Sequence, residues 1–470
     1  MSARKHRAKA TTAPALRSDV QIAKDMALGH ATDKNAEGRI WRFYDRRWQA
    51  IPEDELRQKA MQYDGDDALL SKSRIDSILA CLGYELGDDP EFFAGRVIGI
   101  NCADGRITFG TDGEPSISIG HDRDHRQRHV LAGHWNPGTT GEPPEGSLLA
   151  TYLKGVFAGD PEAEEKIGLL QEIAGVAALG YGTRLISPKA IVLLGRTAEN
   201  GKSRFLDMLI GLLPPTAVCT VPPDRLGDDN KIMLLVGALL NVSGELSGAI
   251  ASERFKSVIT GDLLDARKAY GRDVVQFRTE AQHVYAANQL PPFRGGMDAG
   301  VRCRLIVVEF LRTIRLSERI VDIGKRIARE EPDALLAWAV EGARRVLARG
   351  YFNEPASSKQ ALTEWTQTAD AVAGWIADRV LPALEVVDSE PARVTSAEAF
   401  ADFRLWHLAE EGQASRMKQR RFTESLRGAA LPGVRYIPGY HGFRGFEGLR
   451  LKEQTGAMKA ARPWYGEDAA

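Results

Sequence analysis

Three things are scarce in this sequence, and each scarcity removes a class of protein. No apolar run approaches the roughly 20 residues that cross a bilayer, so no membrane partner is expected. Cysteine occurs at Cys81, Cys102, Cys219 and Cys303 only, with no C-x-x-C pair and no histidine at ligand spacing. That pattern argues against zinc and against a disulfide framework, and it suits a reducing cytoplasm. Net charge is nearly absent as well: 62 Lys and Arg stand against 63 Asp and Glu. Any nucleic-acid surface must therefore be local rather than a property of the bulk charge. The start, "MSARKHRAKATTAPALRSD", is basic but lacks the apolar core of a secretory signal, and reads as a flexible tail.

With 470 residues, 43% of them hydrophobic and 27% charged, the chain reads as soluble and globular, with two to four domains. "GRIWRFYDRRWQAI" alternates apolar and polar residues about Asp45-Arg46, as a hairpin does. "RVIGINCADGRITF" is a second hairpin, with Asp104-Gly105 expected at its turn. The Gly/Pro/Thr stretch Asn136 to Gly146 closes this small α/β region. Two helices follow, the second opening at Asp160-Pro161. From Lys189 to Phe310 β-type apolar runs alternate with helical segments, the pattern of a mostly parallel sheet covered on both faces.

The most informative stretch is "IVLLGRTAENGKSRFLDMLIGLL", residues 191–213. A phosphate-binding loop needs a strand, a glycine-rich turn whose amides wrap phosphate oxygens, a lysine for the outer phosphates and a Ser or Thr for Mg²⁺. Ile191 to Leu194 supplies the strand, and Asn200, Gly201, Lys202, Ser203 and Arg204 open a helix. The first glycine is Gly195, whereas regular spacing would place it at 196, so the loop is one residue longer than the standard pattern. Geometry at the Asn200–Ser203 turn is what must survive for ATP to bind. "ALLNVSGEL" reads as a strand ending in Glu245, placed to polarise an attacking water and, with Ser203, to hold Mg²⁺. "HVYAANQLPPF" ends a strand in Asn288, able to orient water and sense the γ-phosphate. "DAGVRCRLIVVEF" brings Arg302 and Arg304 just before another strand, where an arginine can reach a neighbouring copy's nucleotide.

Together with "RFKSVITGDLLDARKAYGRDVVQFR" and "EEPDALLAWAVEGARRVLARGYF", these segments resemble superfamily 3 helicases, within them the phage, plasmid and poxvirus primase-helicase group. The resemblance spans about residues 38 to 452. It implies an AAA+ type ATPase that works as a ring, usually a hexamer, and draws single-stranded DNA through a pore. Lys202 and Ser203 match the Walker A pair, Glu245 the Walker B glutamate, Asn288 the sensor and Arg304 the arginine finger. Lys256, Arg267, Lys268 and Arg272 match the segment that forms a helix and a DNA-gripping hairpin, with Tyr270 to Asp273 at its tip. The sequence departs from the family in the longer loop, the single Walker B acid, and Cys303 between the two arginines.

The resemblance and the periodicity together lay the chain out as a basic tail 1–30, an N-terminal α/β domain 31–145, an ATPase core 146–315 with two leading helices, a helical segment 316–388, a winged helix 389–455 and a tail 456–470. The winged helix is read from "SAEAFADFRLWHLAEEG", "MKQRRFTESLRGA" and the glycine-punctuated "GVRYIPGYHGFRGFEGLRL". Lys418, Arg420, Arg421 and Arg427 are expected outward on its second helix, and Arg435, His441, Arg444 and Arg450 on its wing, a surface suited to duplex DNA. Asp122 and Asp124, with His121, His125 and His129, read as a solvated surface segment rather than a metal site. Residues before 146 are too few for a primase domain, so a separate primase or polymerase is expected as partner. The function that follows is an ATP- and Mg²⁺-dependent replicative helicase of a mobile element, acting on single-stranded and forked DNA. One alternative is an origin-binding initiator or loader that uses ATP to assemble, and another is an unrelated P-loop kinase.

Overall fold

The computed structural model describes residues 17–30, 32–64, 71–246, 248–267, 274–291, 293–294, 297–381, 392–412, 414–429, 431–440, 443–455 and 457–458. Contacts divide the chain into two units: residues 1–97 with 121–128, and residues 98–120 with 129–470.

The first unit begins with helix α1 (Asp19–Leu28), inside what the sequence suggested was tail. A Ser18–Gln21 capping box starts it, and Ile22, Ala23 and Met26 bury one face. A meander follows, of β1 (Lys34–Ala36), β2 (Arg39–Tyr44) and β3 (Arg47–Ala50). The β2–β3 turn is Asp45-Arg46 with φ of 47° and 72°, the two positive values a tight primed turn requires. Helices α2 (Glu53–Asp64) and α3 (Lys72–Leu86) join α1 around Leu56, Ala60, Ile78 and Leu82. A separate aromatic cluster of Trp41, Trp48, Phe92 and Phe93 is buried elsewhere in this unit. Arg128 lies over the Phe93 ring at 3.6 Å and pairs with the buried Glu37 at 2.8 Å.

The second unit opens with an antiparallel sheet of β4 (Ile100–Asn101), β5 (Gly105–Phe109) and β6 (Pro115–Ile119). Its hairpin turns one residue earlier than the sequence suggested. Cys102 N donates to Gly105 O at 2.8 Å, so Ala103 and Asp104 make the turn and Gly105 already belongs to the strand. Ile100, Cys102 and Ile107 pack with Leu131, Trp135 and Leu149 of the same unit, so this hairpin is divided from the earlier one.

Helices α4 (Leu148–Val156) and α5 (Ala163–Leu179) lead into the central sheet. Along the chain come β7 (Ala190–Leu194), α6 (Lys202–Leu212), β8 (Val218–Cys219), α7 (Asp229–Ile232), β9 (Leu240–Ser243), β10 (Ile250–Ala251) and α8 (Ser252–Thr260). Next are β11 (Leu264–Arg267), β12 (Val274–Phe277), β13 (Gln282–Ala287), β14 (Phe293–Arg294), α9 (Ala299–Arg302) and β15 (Leu305–Glu309). Five strands are parallel, in the order β15-β7-β13-β9-β8. Both faces are covered, which explains the continuous apolar runs. Ile191, Leu193, Val242, Val284 and Ile306 face a core shared with α4, α5, α6 and α11 (Pro332–Arg349). Val192, Tyr285, Ala287 and Val307 face a second core with Phe255 of α8, Phe277 of β12 and Trp365 of α12 (Ala356–Arg379). Helix α10, inserted before α11, is Ile323–Glu330.

Toward the end of the chain, β16 (Arg393–Thr395), α13 (Ser396–Glu411), α14 (Gln419–Gly428), β17 (Arg435–Tyr440) and β18 (Phe443–Glu447) form a module with the end of α12. Its sheet order is β16-β18-β17, antiparallel. Trp375, Phe403, Phe422, Leu426 and Phe446 fill its core. Arg379 is buried there against Asp402 at 2.8 Å and also donates to the carbonyls of Lys452 and Glu453. Among the described residues no helix is long and apolar enough to cross a membrane.

Candidate functional site

The site gathers at the carboxyl edge of the parallel sheet, the edge at which open α/β sheets bind ligands. Gly195 N donates to Ala287 O at 2.9 Å, so β7 and β13 stay paired to the start of the loop. Glu199 at φ 59° and Gly201 at φ 89° then fold the loop back. Asn200 is buried inside the turn: its Nδ2 donates to Thr197 O at 2.6 Å, and its Oδ1 accepts weakly from Lys202 N at 3.5 Å. It presses so close to Gly195 that a Cβ there would stand 2.0 Å from Asn200 Nδ2. This accounts for the displaced glycine. The extra residue is taken up as an inward asparagine, and only glycine leaves room for it.

Lys202, at the first position of α6, is 7% exposed. Its ammonium donates to Asn288 Oδ1 at 2.6 Å and to Gly195 O at 3.3 Å, and both partners are neutral. Burial holds its pKa below the ordinary lysine value. A positive charge that is desolvated but not neutralised, beside a helix N-terminus, is poised for an anion. Asn288, one residue past β13, is thus in contact with the lysine, as its place at the strand tip suggested. Ser203 is exposed in the first turn. Arg204 pairs with Asp207 at 3.0 Å and Asp322 at 3.4 Å.

Glu245 stands two residues beyond β9, which ends at Ser243 rather than running to the glutamate. It is exposed, and Ser243 Oγ donates to its backbone carbonyl at 2.8 Å. Arg304 lies at the opposite edge of the sheet. Leu305 pairs with Ala190 and Glu309 with Leu194, so the length of β7, about 15 Å, separates Arg304 from the loop of its own chain. Its guanidinium donates to Gly300 O at 2.6 Å. Arg302 is exposed at the end of α9.

Several supports of the loop gave no signal in the sequence. Tyr152 of α4 is buried, which pushes its phenol pKa up, and its hydroxyl donates to Gly201 O at 3.1 Å. The segment after β15 straps the loop's outer side: Ile314 N donates to Glu199 O at 2.8 Å, Thr313 bonds Thr197 at 3.1 Å, and Arg319 lies 3.6 Å from Glu199. Such contacts join residues from 49 to 120 positions apart and follow no local pattern.

The basic residues expected on DNA are placed unevenly. Lys256 of α8 is paired with Glu253 at 2.6 Å and Asp298 at 3.0 Å. β11 and β12 form an antiparallel hairpin whose root, Leu264, Ala266, Val275 and Phe277, is buried, with Arg267 exposed at the last described residue of the arm. The tip lies outside the described residues, Lys268 and Arg272 with it, as does His441. Lys418 is exposed at the start of α14, and Arg420 is exposed beside Glu424 at 2.9 Å. Arg421 is a correction: it does not point outward. It is half-buried, its guanidinium donates to Glu364 O of α12 at 3.3 Å, and its pKa is lowered by burial and then by Arg196 of the phosphate loop. Phe422 and Leu426 take the inner face of α14, and this turns Arg421 toward α12. Arg444 is exposed and donates to the Tyr436 hydroxyl at 3.2 Å, while Arg435 and Arg393 share Glu447. Asp122 caps a short turn by accepting from Asp124 N at 2.8 Å.

A family model described as a family of unknown function (DUF5906) matches residues 193–302, the span from the end of β7 to α9. No curated protein matches. Among solved structures, the A form apo structure of the NrS-1 C terminal region is similar at 12% identity and a TM-score of 0.45, covering 93% of this chain and 100% of that one. A second apo structure of that region gives 12% identity, a TM-score of 0.44, and coverage of 92% and 99%. A ligand-bound JCV helicase is similar at 12% identity over 49% of this chain and 66% of that one, with a TM-score of 0.25.

Proposed function

We propose that this chain is an ATP-driven motor on single-stranded DNA, an AAA+ type helicase of the superfamily 3 kind that acts as a ring, most simply a hexamer. The observation that carries the reading is the buried Lys202 ammonium at the head of α6, held by neutral acceptors from its own loop and from the tip of the adjacent strand. ATP phosphate is the anion that fits a strand–loop–helix of this form. On binding, Lys202 exchanges the Asn288 carbonyl for a phosphate oxygen, and Asn288 is released to orient water. Glu245 accepts the water's proton, and Arg304 of an adjacent copy meets the charge that develops on the transferred phosphoryl group. Ser203 hydroxyl and Glu245 carboxylate are the oxygen donors that would hold Mg²⁺, a cation that prefers oxygen ligands. Bound there, Mg²⁺ would neutralise charge on the phosphate oxygens.

Single-stranded DNA is assigned to the β11–β12 hairpin, with Arg267, Lys268 and Arg272 on its phosphates and Lys256 at the adjoining helix. The helix–sheet order of the C-terminal module suits a winged helix, with Lys418, Arg420 and Arg444 as duplex contacts at a fork or an origin. A separate primase or polymerase is the expected partner, and the cytoplasm the expected location.

The test is ATP hydrolysis with and without single-stranded DNA. The natural chain should be stimulated by DNA, and Lys202→Ala should lose about two orders of magnitude or more. Turnover indifferent to DNA would overturn the motor. A second reading, an origin-binding initiator that uses ATP to assemble, is favoured by one observation, the exposed Glu245 beyond its strand end. Slow turnover with ATP-dependent oligomerisation would select it.

A further inference from the structure

The first unit holds a cavity of about 400 Å³ that no part of the ATPase reading uses. Its floor is aromatic. Trp48 and Phe92 are 3% and 6% exposed and meet edge to face at 4.9 Å. Lys34, Arg123 and Arg126 stand on its walls, with the carboxylates of Asp89 and Asp124 among them.

The cations are set in different ways. Lys34 has no carboxylate at ion-pair distance among the described residues and is exposed. Arg123 is 55% exposed, and its nearest carboxylate, Asp124 at 3.6 Å, is 84% exposed, so solvent screens the pair. Arg126 is fixed: its backbone is left-handed at φ 55°, and its guanidinium lies 4.7 Å from the Phe92 ring centre while donating to Phe92 O at 2.6 Å. A non-glycine residue held in that conformation stores strain of the sort that gathers at ligand clamps. The neighbouring turn is also built. Asp122 caps Arg123–His125, and Trp48 Nε1 donates to Arg123 O at 2.8 Å, so the aromatic floor and the cationic wall form one piece.

We infer that this cavity is a second nucleotide-binding site, which takes one nucleotide with its phosphate on Lys34 and Arg123 and its base against the Trp48–Phe92 floor. The volume is that of a small-ligand pocket and too small for a duplex. Asp89 offers the acceptor that an exocyclic base amine needs, and Lys34 and Arg123 supply the positive charge that holds the phosphate of single-stranded nucleic acid. The nucleotide comes either from a passing single strand or from the free pool. The inference uses no residue of the phosphate loop, so it stands or falls independently of the motor.

The test uses the full-length chain carrying Lys202→Ala, which removes the phosphate loop as a competing site. Deoxycytidine monophosphate and a deoxycytidine oligonucleotide of about 12 residues are titrated separately by calorimetry, and an iodinated-base version of each is photocrosslinked and mapped. Crosslinks should include residues 32–48, 89–92 or 123–126, and Lys34→Glu with Arg123→Glu should abolish those crosslinks and weaken binding of the monophosphate about tenfold or more. For the oligonucleotide, the slope of log affinity against log salt should shrink by about 0.7 for each phosphate the protein ceases to neutralise. Binding of the monophosphate without oligonucleotide crosslinks at the cavity identifies the free pool as source, and oligonucleotide crosslinks at the cavity identify the strand. Unchanged affinity for both ligands, with crosslinks only elsewhere, overturns the site. Far-ultraviolet circular dichroism and the denaturant midpoint of the double variant report whether the chain is folded. If that fails, Lys34→Gln with Arg123→Gln and the crosslink map decide the matter.

Discussion

At the scale of single residues, the phosphate loop turns on one exchange of volume. Its extra residue is accommodated because Asn200 folds inward onto a position that has no Cβ. Gly195→Ala should therefore push Asn200 out of the turn and release Lys202 from its backbone acceptor, raising the KM for ATP and lowering kcat together. The second-site change Asn200→Gly should restore part of the loss. If Gly195→Ala hydrolyses ATP normally, the inward asparagine is not what shapes the loop. Residue chemistry also fixes a pH dependence. Burial pulls the His283 pKa down to about 3, with Nδ1 accepting from the Tyr285 hydroxyl at 3.0 Å and the Asn241 amide at 3.1 Å. The folded pKa lies below the unfolded value of 6.5, so the unfolded chain binds the extra proton between the two. Stability is then intact above pH 6.5 and falls as pH drops toward 3, by at most about 1.4 kcal/mol per unit. Denaturant titrations at about pH 7 and pH 5 should show this loss, and His283→Gln should flatten it. An unaltered slope in that variant would assign the pH dependence to other groups.

At the scale of elements, what is legible in the sequence is what local pattern controls. The β2–β3 turn, the strand before Gly195 and the helix after Lys202 all follow from periodicity and turn chemistry over a dozen residues, whereas the β11–β12 pair is expected from the resemblance alone. The contact of Asn288 with Lys202 is legible too, because the tips of adjacent parallel strands meet at one edge. Helix α1 escapes the sequence reading because a basic stretch precedes its capping box, and composition outweighs the cap. The short β9 escapes it because an apolar run does not announce where pairing stops: its last partner in β13 is Tyr285, and Glu245 falls beyond it. The strap over the loop and the buried Tyr152 are invisible for a different reason, since both act through contacts of long sequence separation. Arg421 joins these. Charge alone marks it as a DNA contact, yet on α14 its guanidinium donates to the Glu364 carbonyl of α12, 57 positions away. Arg421→Ala should leave binding of a duplex nearly unchanged while lowering the denaturant midpoint, whereas Arg420→Ala should do the reverse. Equal effects of the two on duplex affinity would return Arg421 to the DNA surface.

At the scale of the whole molecule, the decisive geometry is the distance between two ends of one strand. Lys202 lies at the carboxyl edge of the sheet, and Arg304 at the amino edge, about 15 Å away along β7 and β15. No side chain spans that gap, so Arg304 cannot reach the Lys202 loop of its own chain. Any role in hydrolysis belongs to a neighbour's site, in a head-to-tail contact of the kind that closes rings. Mixing tests this directly. Chains carrying Lys202→Ala have no competent loop but keep Arg304, and chains carrying Arg304→Ala have the reverse. Each alone should be inactive. In a ring assembled at random from equal amounts, a site is complete when an Arg304→Ala chain supplies the loop and a Lys202→Ala chain supplies the arginine. That arrangement occurs at about a quarter of interfaces whatever the number of subunits. Co-assembled mixtures should regain about that fraction of the natural turnover if sites act independently, and less if they must fire in concert. Complete inactivity in mixtures shown by mass to contain both chains would remove Arg304 from the chemistry in trans and leave it as the cap of Gly300 that its hydrogen bond describes.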